Sequence, residues 1–169
     1  MNKLIKQHYL GSLFNVRISG NLSLVLGTPL FTYAYFQDPV SALIGSIFAV
    51  FIVFLHEWGH AMVAKKLGCK QIEIEMGLFN SHMKAYSTPA NFELISFGGV
   101  LAQLLLLIVY FVTTRALQIS IPLGDSMFMW FNVVLLITNA LPIKPLDGHQ
   151  MLQFISRKVG QYRDQHSKH

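Results

Sequence analysis

The residues best suited to chemistry form the run His56-Glu57-Trp58-Gly59-His60, which has the pattern H-E-x-x-H. On a helix, residues four apart point in nearly the same direction from successive turns, so both imidazoles can reach one metal ion. Glu57 lies beside them, where it can activate a water instead of binding the metal. The pattern predicts a hydrolytic zinc centre, although short patterns of this kind also arise by chance in soluble proteins.

The surroundings of this pattern strengthen the prediction. It lies in an apolar segment that continues to Ala64 and stops only at Lys65 and Lys66. An acid at the centre of a membrane-spanning helix costs about 2.5–3.5 kcal/mol, so such residues are rarely present without a function. The alternative interpretation is a structural hydrogen bond between a buried histidine and Glu57.

A catalytic zinc ion usually has three protein ligands, and Asp147 is the best candidate for the third. Of the eight acidic residues, only Glu57 and Asp147 lie in or against the apolar segments. Pro142 and Pro145 are expected to end the preceding helix and to let the extended chain carry Asp147 back towards the histidines. Asp147 could instead only cap a short helix predicted from His149 to about Val159. By itself it fits both roles, and the neighbouring H-E-x-x-H pattern favours the ligand.

Composition indicates the elements that position these residues. Hydrophobic residues make up 53% of the 169-residue chain and charged residues 12%, against about 25% charged in soluble proteins. Four apolar stretches approach the roughly 20 residues that a helix needs to cross a bilayer. We therefore predict a membrane protein with an all-α polytopic core in one domain, 1–169, without a separate soluble domain. Its predicted transmembrane helices cover about 20–37, 40–64, 94–114 and 126–143, and Gly27 and Pro29 should bend or break the first.

Basic residues alternate between the two sides of these predicted spans. Only Arg115 falls between the third and fourth spans, and the other twelve precede the first span or follow the second and fourth. The positive-inside rule then places both termini in the cytoplasm, and a bacterial inner membrane is the expected location. Topology and anionic lipid account for the net charge of +5, so no nucleic-acid partner is predicted.

The segment after the second span is not a simple loop. Residues 72–76 alternate apolar with acidic side chains, turn-forming residues follow, and 82–86 can return as a second strand. Residues 14–18 alternate as well. We predict small membrane-associated β-hairpin elements here, which either hold a substrate along a free strand edge or only rest on lipid headgroups.

These motifs together resemble the site-2 protease family of intramembrane metalloproteases. The resemblance rests on H-E-x-x-H in one span and on N-A-L-P-I-K-P-L-D-G, residues 139–148, at the end of a later one. It implies one zinc ion per chain, held by His56, His60 and Asp147. It further implies Glu57 as the catalytic acid/base and Asn139 near the substrate or the oxyanion.

The small-residue segment 94–103 also resembles the family's middle span, and two positions depart from the family pattern. Gln103 stands where asparagine is frequent and Lys144 where proline is common, so their roles stay open, as does that of His149. Gly98 and Gly99 fit either close helix packing or a part in catalysis.

The predicted function is that of a zinc metalloendopeptidase that cuts transmembrane segments of other membrane proteins in their cytoplasmic half. The resemblance implies membrane-tethered regulators, such as anti-sigma factors, or remnant signal peptides as substrates. The alternative is a catalytically inactive relative, or a metal-binding membrane protein, that binds transmembrane segments. The expected partners are a transmembrane substrate and the lipid bilayer, and the sequence does not specify an oligomeric state.

Overall fold

The structure is a computed structural model that describes residues 6–78, 81–86, 92–118 and 122–166. Within these ranges the chain forms five α-helices and a sheet of four strands. The helices are α1 (Leu22–Phe36), α2 (Pro39–Lys66), α3 (Ile95–Leu117), α4 (Pro122–Ala140) and α5 (Asp147–His166), and one 3-10 turn at Phe92–Leu94 leads into α3. The strands are β1 (His8–Leu13), β2 (Val16–Gly20), β3 (Ile72–Met76) and β4 (His82–Ala85).

Two of the four predicted spans correspond to helices that are long and apolar enough to cross a membrane. These are α2, with 28 residues, and the 26-residue helical segment Phe92–Leu117 that contains α3. The first and fourth predicted spans correspond to the shorter apolar helices Leu22–Phe36 and Met127–Ala140. Their crossing of a bilayer stays a prediction.

Helix α1 does not break where the sequence suggested that it could. It continues through Gly27 and Pro29 to Phe36. Contacts with α2 support the helix beyond the proline, since the Thr32 hydroxyl lies 2.8 Å from the Ser46 hydroxyl and donates to the Ala42 carbonyl over 2.8 Å. These tertiary contacts help to compensate for the main-chain hydrogen bond that a proline inside a helix removes.

Helix α2 lies at the centre of the helices and packs against α1, α3 and α4. Its closest approach is to α3, where Gly59 faces Gly98. A Cβ atom added to Gly59 would lie 2.2 Å from the Gly98 carbonyl oxygen, and one added to Gly98 would lie 2.4 Å from the Gly59 oxygen. Only glycine permits this spacing, which brings the backbone of α3 against the turn of α2 that contains the H-E-x-x-H residues.

The sheet has the order β1-β2-β3-β4, with β2 and β3 parallel and the other two pairs antiparallel. The predicted hairpin between 72–76 and 82–86 is confirmed as β3 and β4. Buried side chains of β2 and β3 pack against Ala61 and Ala64 of α2. The sheet is thereby fixed to the half of α2 that contains the histidines.

The amino-terminal strand prediction was wrong in its boundaries. Phe14 and Asn15 form a turn with φ angles of 47° and 64°, β2 begins only at Val16, and the preceding strand β1 was not predicted. Alternation of apolar and polar residues does not by itself locate such a turn. Two consecutive residues with positive φ are typical of tight hairpin turns, and here a phenylalanine occupies the first of them.

Helix α4 ends at Ala140, before Pro142 and three residues before the predicted end of the fourth span. Helix α5 begins at Asp147, two residues earlier than the predicted start at His149, and continues to His166. Between these helices the chain folds tightly, since a Cβ atom on Gly148 would lie 2.2 Å from the Ala140 carbonyl oxygen. This close fold places the first residue of α5 beside the end of α4.

Candidate active site

His56 and His60 project from successive turns of α2, as their spacing predicts. Both are buried, with 3% and 6% of their surface exposed. Their Nε2 atoms lie 3.0 Å apart and the two rings are nearly perpendicular. The helix therefore presents two imidazole nitrogens to a single point.

Hydrogen bonds at the opposite ring nitrogens assign the tautomers of both histidines. The Nδ1 atom of His60 lies 2.8 Å from the Ile95 carbonyl oxygen, which can only accept, so Nδ1 carries the proton. The Gly99 amide lies farther from the same Nδ1 atom, at 3.3 Å, and cannot donate to it once it is protonated. His56 Nδ1 lies 2.9 Å from Gln103 Oε1, which accepts in the same way. Both Nε2 lone pairs are thus directed to the common point.

Asp147 completes the group from the start of α5. Its Oδ2 atom lies 3.0 Å from His56 Nε2 and 3.1 Å from His60 Nε2. This oxygen is buried and has no hydrogen-bond donor among the described residues. The two contacts are therefore not hydrogen bonds in the tautomers assigned above, and they bring three electron-pair donors together.

Three converging donors without protons between them fit a bound cation. Two imidazole nitrogens and one carboxylate oxygen are ligand types that zinc takes in catalytic sites, where it keeps a further position open. Among the described residues, His56, His60 and Asp147 are the one group of at least three His, Cys, Asp or Glu side chains close enough to share an ion. The residues present thus fit the predicted zinc ion.

Gly99 on α3 provides the space that the imidazole pair needs. A Cβ atom at this position would lie 2.5 Å from both His60 Nε2 and His56 Cε1. The neighbouring glycine, Gly98, instead makes the close contact with Gly59 described above. Both glycines therefore permit close packing, Gly98 against the backbone of α2 and Gly99 against the imidazole pair. A part of either in catalysis stays a prediction.

The sequence left the role of Gln103 open, and the structure assigns it a contact. Its side chain is completely buried and its oxygen accepts from His56. Gln103 follows Gly99 by four residues, so it lies one turn farther along the face of α3 that meets the site. The signal in the sequence was a single amide side chain in the otherwise apolar run that follows Gly99. An asparagine at position 103 would have a shorter side chain and a shorter reach towards His56.

Polar contacts of α5 with the start of α3 hold Asp147 in position. The guanidinium of Arg157 makes two contacts with the Glu93 carboxylate, of 2.8 and 3.0 Å. Ser96 donates a hydrogen bond of 2.9 Å to Gln150. Glu93 is buried, with 7% of its surface exposed. These bonds orient the helix whose first residue is Asp147.

Glu57 is buried and faces a cavity of about 960 Å³. The two histidines and Asp147 line the same cavity, and so does Asn139 from the last turn of α4. The predicted acid/base, the predicted ligands and the predicted oxyanion residue are thus brought to one space. The Asn139 side chain has no hydrogen bond to another described residue, and its role stays a prediction.

Strand β4 forms another wall of this cavity. His82, Met83 and Ala85 line it from the edge of the sheet opposite β1, together with Ser81, which precedes the strand. The sequence assigned no role to His82. Among the described residues β4 pairs only with β3, so its other edge has no strand partner there.

The two remaining open positions lie apart from the metal group. His149 contacts Gln153 on the next turn of α5, with 3.0 Å between Nε2 atoms, and is not among the three converging residues. Lys144 is exposed in the connection between α4 and α5. The structure supports no role for either in binding the ion.

Comparison of the sequence with protein-family models and with curated proteins gives no match. Among solved structures, the chain is similar to the site-2 protease from Methanocaldococcus jannaschii, with a TM-score of 0.69 and 24% sequence identity. The similarity covers 90% of this chain and 73% of that protein. At this identity the comparison establishes that the two chains have the same fold.

Proposed function

We propose that this chain is a zinc-dependent protease that cuts transmembrane segments of other membrane proteins. The observation that supports this most directly is the convergence of His56, His60 and Asp147 beside Glu57. The two histidines and Glu57 belong to α2, a helix apolar enough to cross a membrane. A metal site built only for structure would have no need of a buried carboxylate that faces a cavity. The shared fold with a site-2 protease is consistent with this proposal.

Each residue of the site has a distinct task in peptide hydrolysis. Bound zinc would supply a Lewis acid that polarises the scissile carbonyl and lowers the pKa of a water. Glu57 accepts the proton of the attacking water and later donates it to the leaving amine. The Asn139 side chain, which lines the same cavity, donates to the developing oxyanion. Gln103 and the Ile95 carbonyl keep the two imidazoles in the required tautomer.

A peptide in lipid must leave its helix before it can be cut. Its carbonyls are otherwise engaged in hydrogen bonds with its own backbone. The outer edge of β4 lies along the cavity and can pair with an extended segment as an added strand. Transmembrane segments that contain helix-weakening residues are therefore the proposed substrates.

The proposed cutting depth follows from the length of α2. The helix is capped by Asp38, 18 residues before His56, and ends at Lys66, ten residues after it. At about 1.5 Å per residue the site lies roughly 27 Å from the first end and 15 Å from the second. The second end is the basic one, so we place it in the cytoplasm of a bacterial cell, together with both termini. The cut then falls in the cytoplasmic half of the substrate.

The decisive experiment uses purified protein reconstituted with a model substrate that crosses the bilayer once. The matched control substrate has leucine in place of every glycine, asparagine and proline of its span. We expect cleavage of the first substrate only, and no cleavage of either by Glu57→Gln, because an amide lacks the basic lone pair.

Metal analysis of Glu57→Gln provides the control, since this variant should retain one zinc ion per chain. Cleavage by Glu57→Gln at the wild-type rate would contradict the mechanism. A wild-type protein that binds zinc and substrate but never cleaves would support the alternative of an inactive binding protein.

A further inference from the structure

Helix α5 carries an apolar stripe on a face that is about half exposed among the described residues. Leu152, Ile155 and Val159 follow one another at intervals of three and four residues, and about half of each side chain is exposed. At about 100° per residue the three side chains lie within roughly 60° around the helix axis, which makes one continuous stripe.

The opposite side of α5 makes the contacts with α3. Gln150 bonds to Ser96, Phe154 packs edge-on against Phe97 with ring centroids 5.9 Å apart, and Arg157 pairs with Glu93. These contacts lie about 150° around the helix from the stripe. The exposure of the stripe is therefore not the result of a detached helix, since α5 is fixed to the protein by its other face.

The charges around the stripe indicate what covers it. Lys158 and Arg163 lie at its two edges, and α5 has three basic residues against two acidic ones, Asp147 and Asp164, which stand near its two ends. A second copy of the same helix would bring like charges together, which is unfavourable. A helix with this many polar residues is also unsuited to crossing the bilayer. An apolar stripe between basic edges is typical of helices that lie in the interface of an anionic membrane.

We infer that α5 lies along the surface of the membrane, with the stripe among the acyl chains and Lys158 and Arg163 at the phosphates of anionic lipids. This inference rests on the membrane location proposed above and not on proteolysis. It has a consequence for the site, because Asp147 is the first residue of α5. Anionic lipid then helps to hold the third metal ligand in place.

Nitroxide labels on adjacent residues test this placement. Val159→Cys lies in the stripe, and Gly160→Cys is the matched control on the polar side, where an added Cβ meets nothing within 4 Å. The unsubstituted chain, whose single cysteine Cys69 is 6% exposed, gives the labelling background. Leu105→Cys, at a 62% exposed position of α3, is the reference for a site in lipid. The accessibility of each label to oxygen and to a water-soluble nickel complex is measured in bilayers of phosphatidylcholine with and without phosphatidylglycerol.

We expect the label at 159 to be reached mainly by oxygen and the label at 160 mainly by nickel. The contrast should increase with phosphatidylglycerol, and the increase should be lost in the double variant Lys158→Gln/Arg163→Gln. At about fivefold per cation near an anionic surface, the pair changes the equilibrium between a membrane-seated and a lifted helix about 30-fold. Lys66→Gln, which removes a cation at the end of α2, should leave the increase unchanged.

Three results would overturn the inference. Equal nickel access at 159 and 160 would mean that the stripe lies in water, and spin–spin broadening at 159 would mean that a second copy covers it. If the difference in accessibility between the labels at 159 and 160 does not change with phosphatidylglycerol, anionic lipid has no role in seating the helix. If the label at 105 is itself reached by nickel, the membrane location has failed, and this is distinguishable from failure of the inference about α5.

Discussion

Replacing Gln103 with leucine removes the acceptor for the His56 Nδ1 proton and keeps a side chain of similar length. In the structure the bond measures 2.9 Å and Gln103 is completely buried, so no water can replace the lost acceptor without rearrangement. A buried donor that is left without a partner costs about 1–3 kcal/mol. Loss of a hydrogen-bond partner to a metal-bound histidine lowers metal affinity about 10–100-fold, which is about 1.4–2.8 kcal/mol. We therefore expect Gln103→Leu to bind zinc 10–100 times more weakly.

The fold should be affected much less than the metal site. The Nε2 atom of Gln103 is buried without a hydrogen-bond partner among the described residues, and leucine removes this unsatisfied donor. The gain offsets part of the loss at His56, so the metal-free protein should keep its stability to within about 1 kcal/mol. A loss of packing alone would instead lower stability and affinity together.

The assay is a titration of the zinc-loaded protein with a chelator of known affinity, with bound metal read by mass spectrometry. Gln103→Glu is the rescue variant, because a carboxylate still accepts from His56 Nδ1, and its affinity should be at least that of wild type. Leu105→Ala, at a 62% exposed position two residues away, controls for shortening α3 side chains. Zinc affinity of Gln103→Leu within twofold of wild type, or an equal loss in Leu105→Ala, would refute the reasoning.

Three further predictions concern the site. Asp147→Ala should lose bound zinc, because two protein ligands hold the ion poorly, whereas His149→Ala should retain one zinc ion per chain. Metal analysis of both variants decides whether the third ligand has been identified correctly. Gly99→Ala should abolish zinc binding and cleavage, since its Cβ atom would lie 2.5 Å from His60 Nε2. The control Gly160→Ala should leave zinc binding and cleavage unchanged, and thermal unfolding should show that it stabilises α5 by about 0.5–1 kcal/mol. Mass spectrometry of the cleaved ends should place the cut in the cytoplasmic half of the substrate span, and cuts in its outer half would contradict the proposed topology.

Local patterns predicted those parts of the molecule whose geometry depends on residues close in sequence. The histidine pair follows from the helical repeat alone, since residues four apart share a face wherever α2 is placed. The hairpin of β3 and β4 follows from alternation and turn residues. Asp147 was predicted as a partner of the histidines because the apolar segments offered almost no other acid.

Contacts between distant segments decided the rest. The sequence shows that Gln103 is polar in an apolar helix, but only the packing of α3 on α2 brings its oxygen to His56. The closeness of that packing depends on Gly59 facing Gly98 across the two helices, a match that neither segment reveals separately. The chain thus determined by itself which groups could bind and activate, because chemical type and helical period are local properties. Their distances and tautomers depend on how separate helices pack, and only the tertiary structure could decide them.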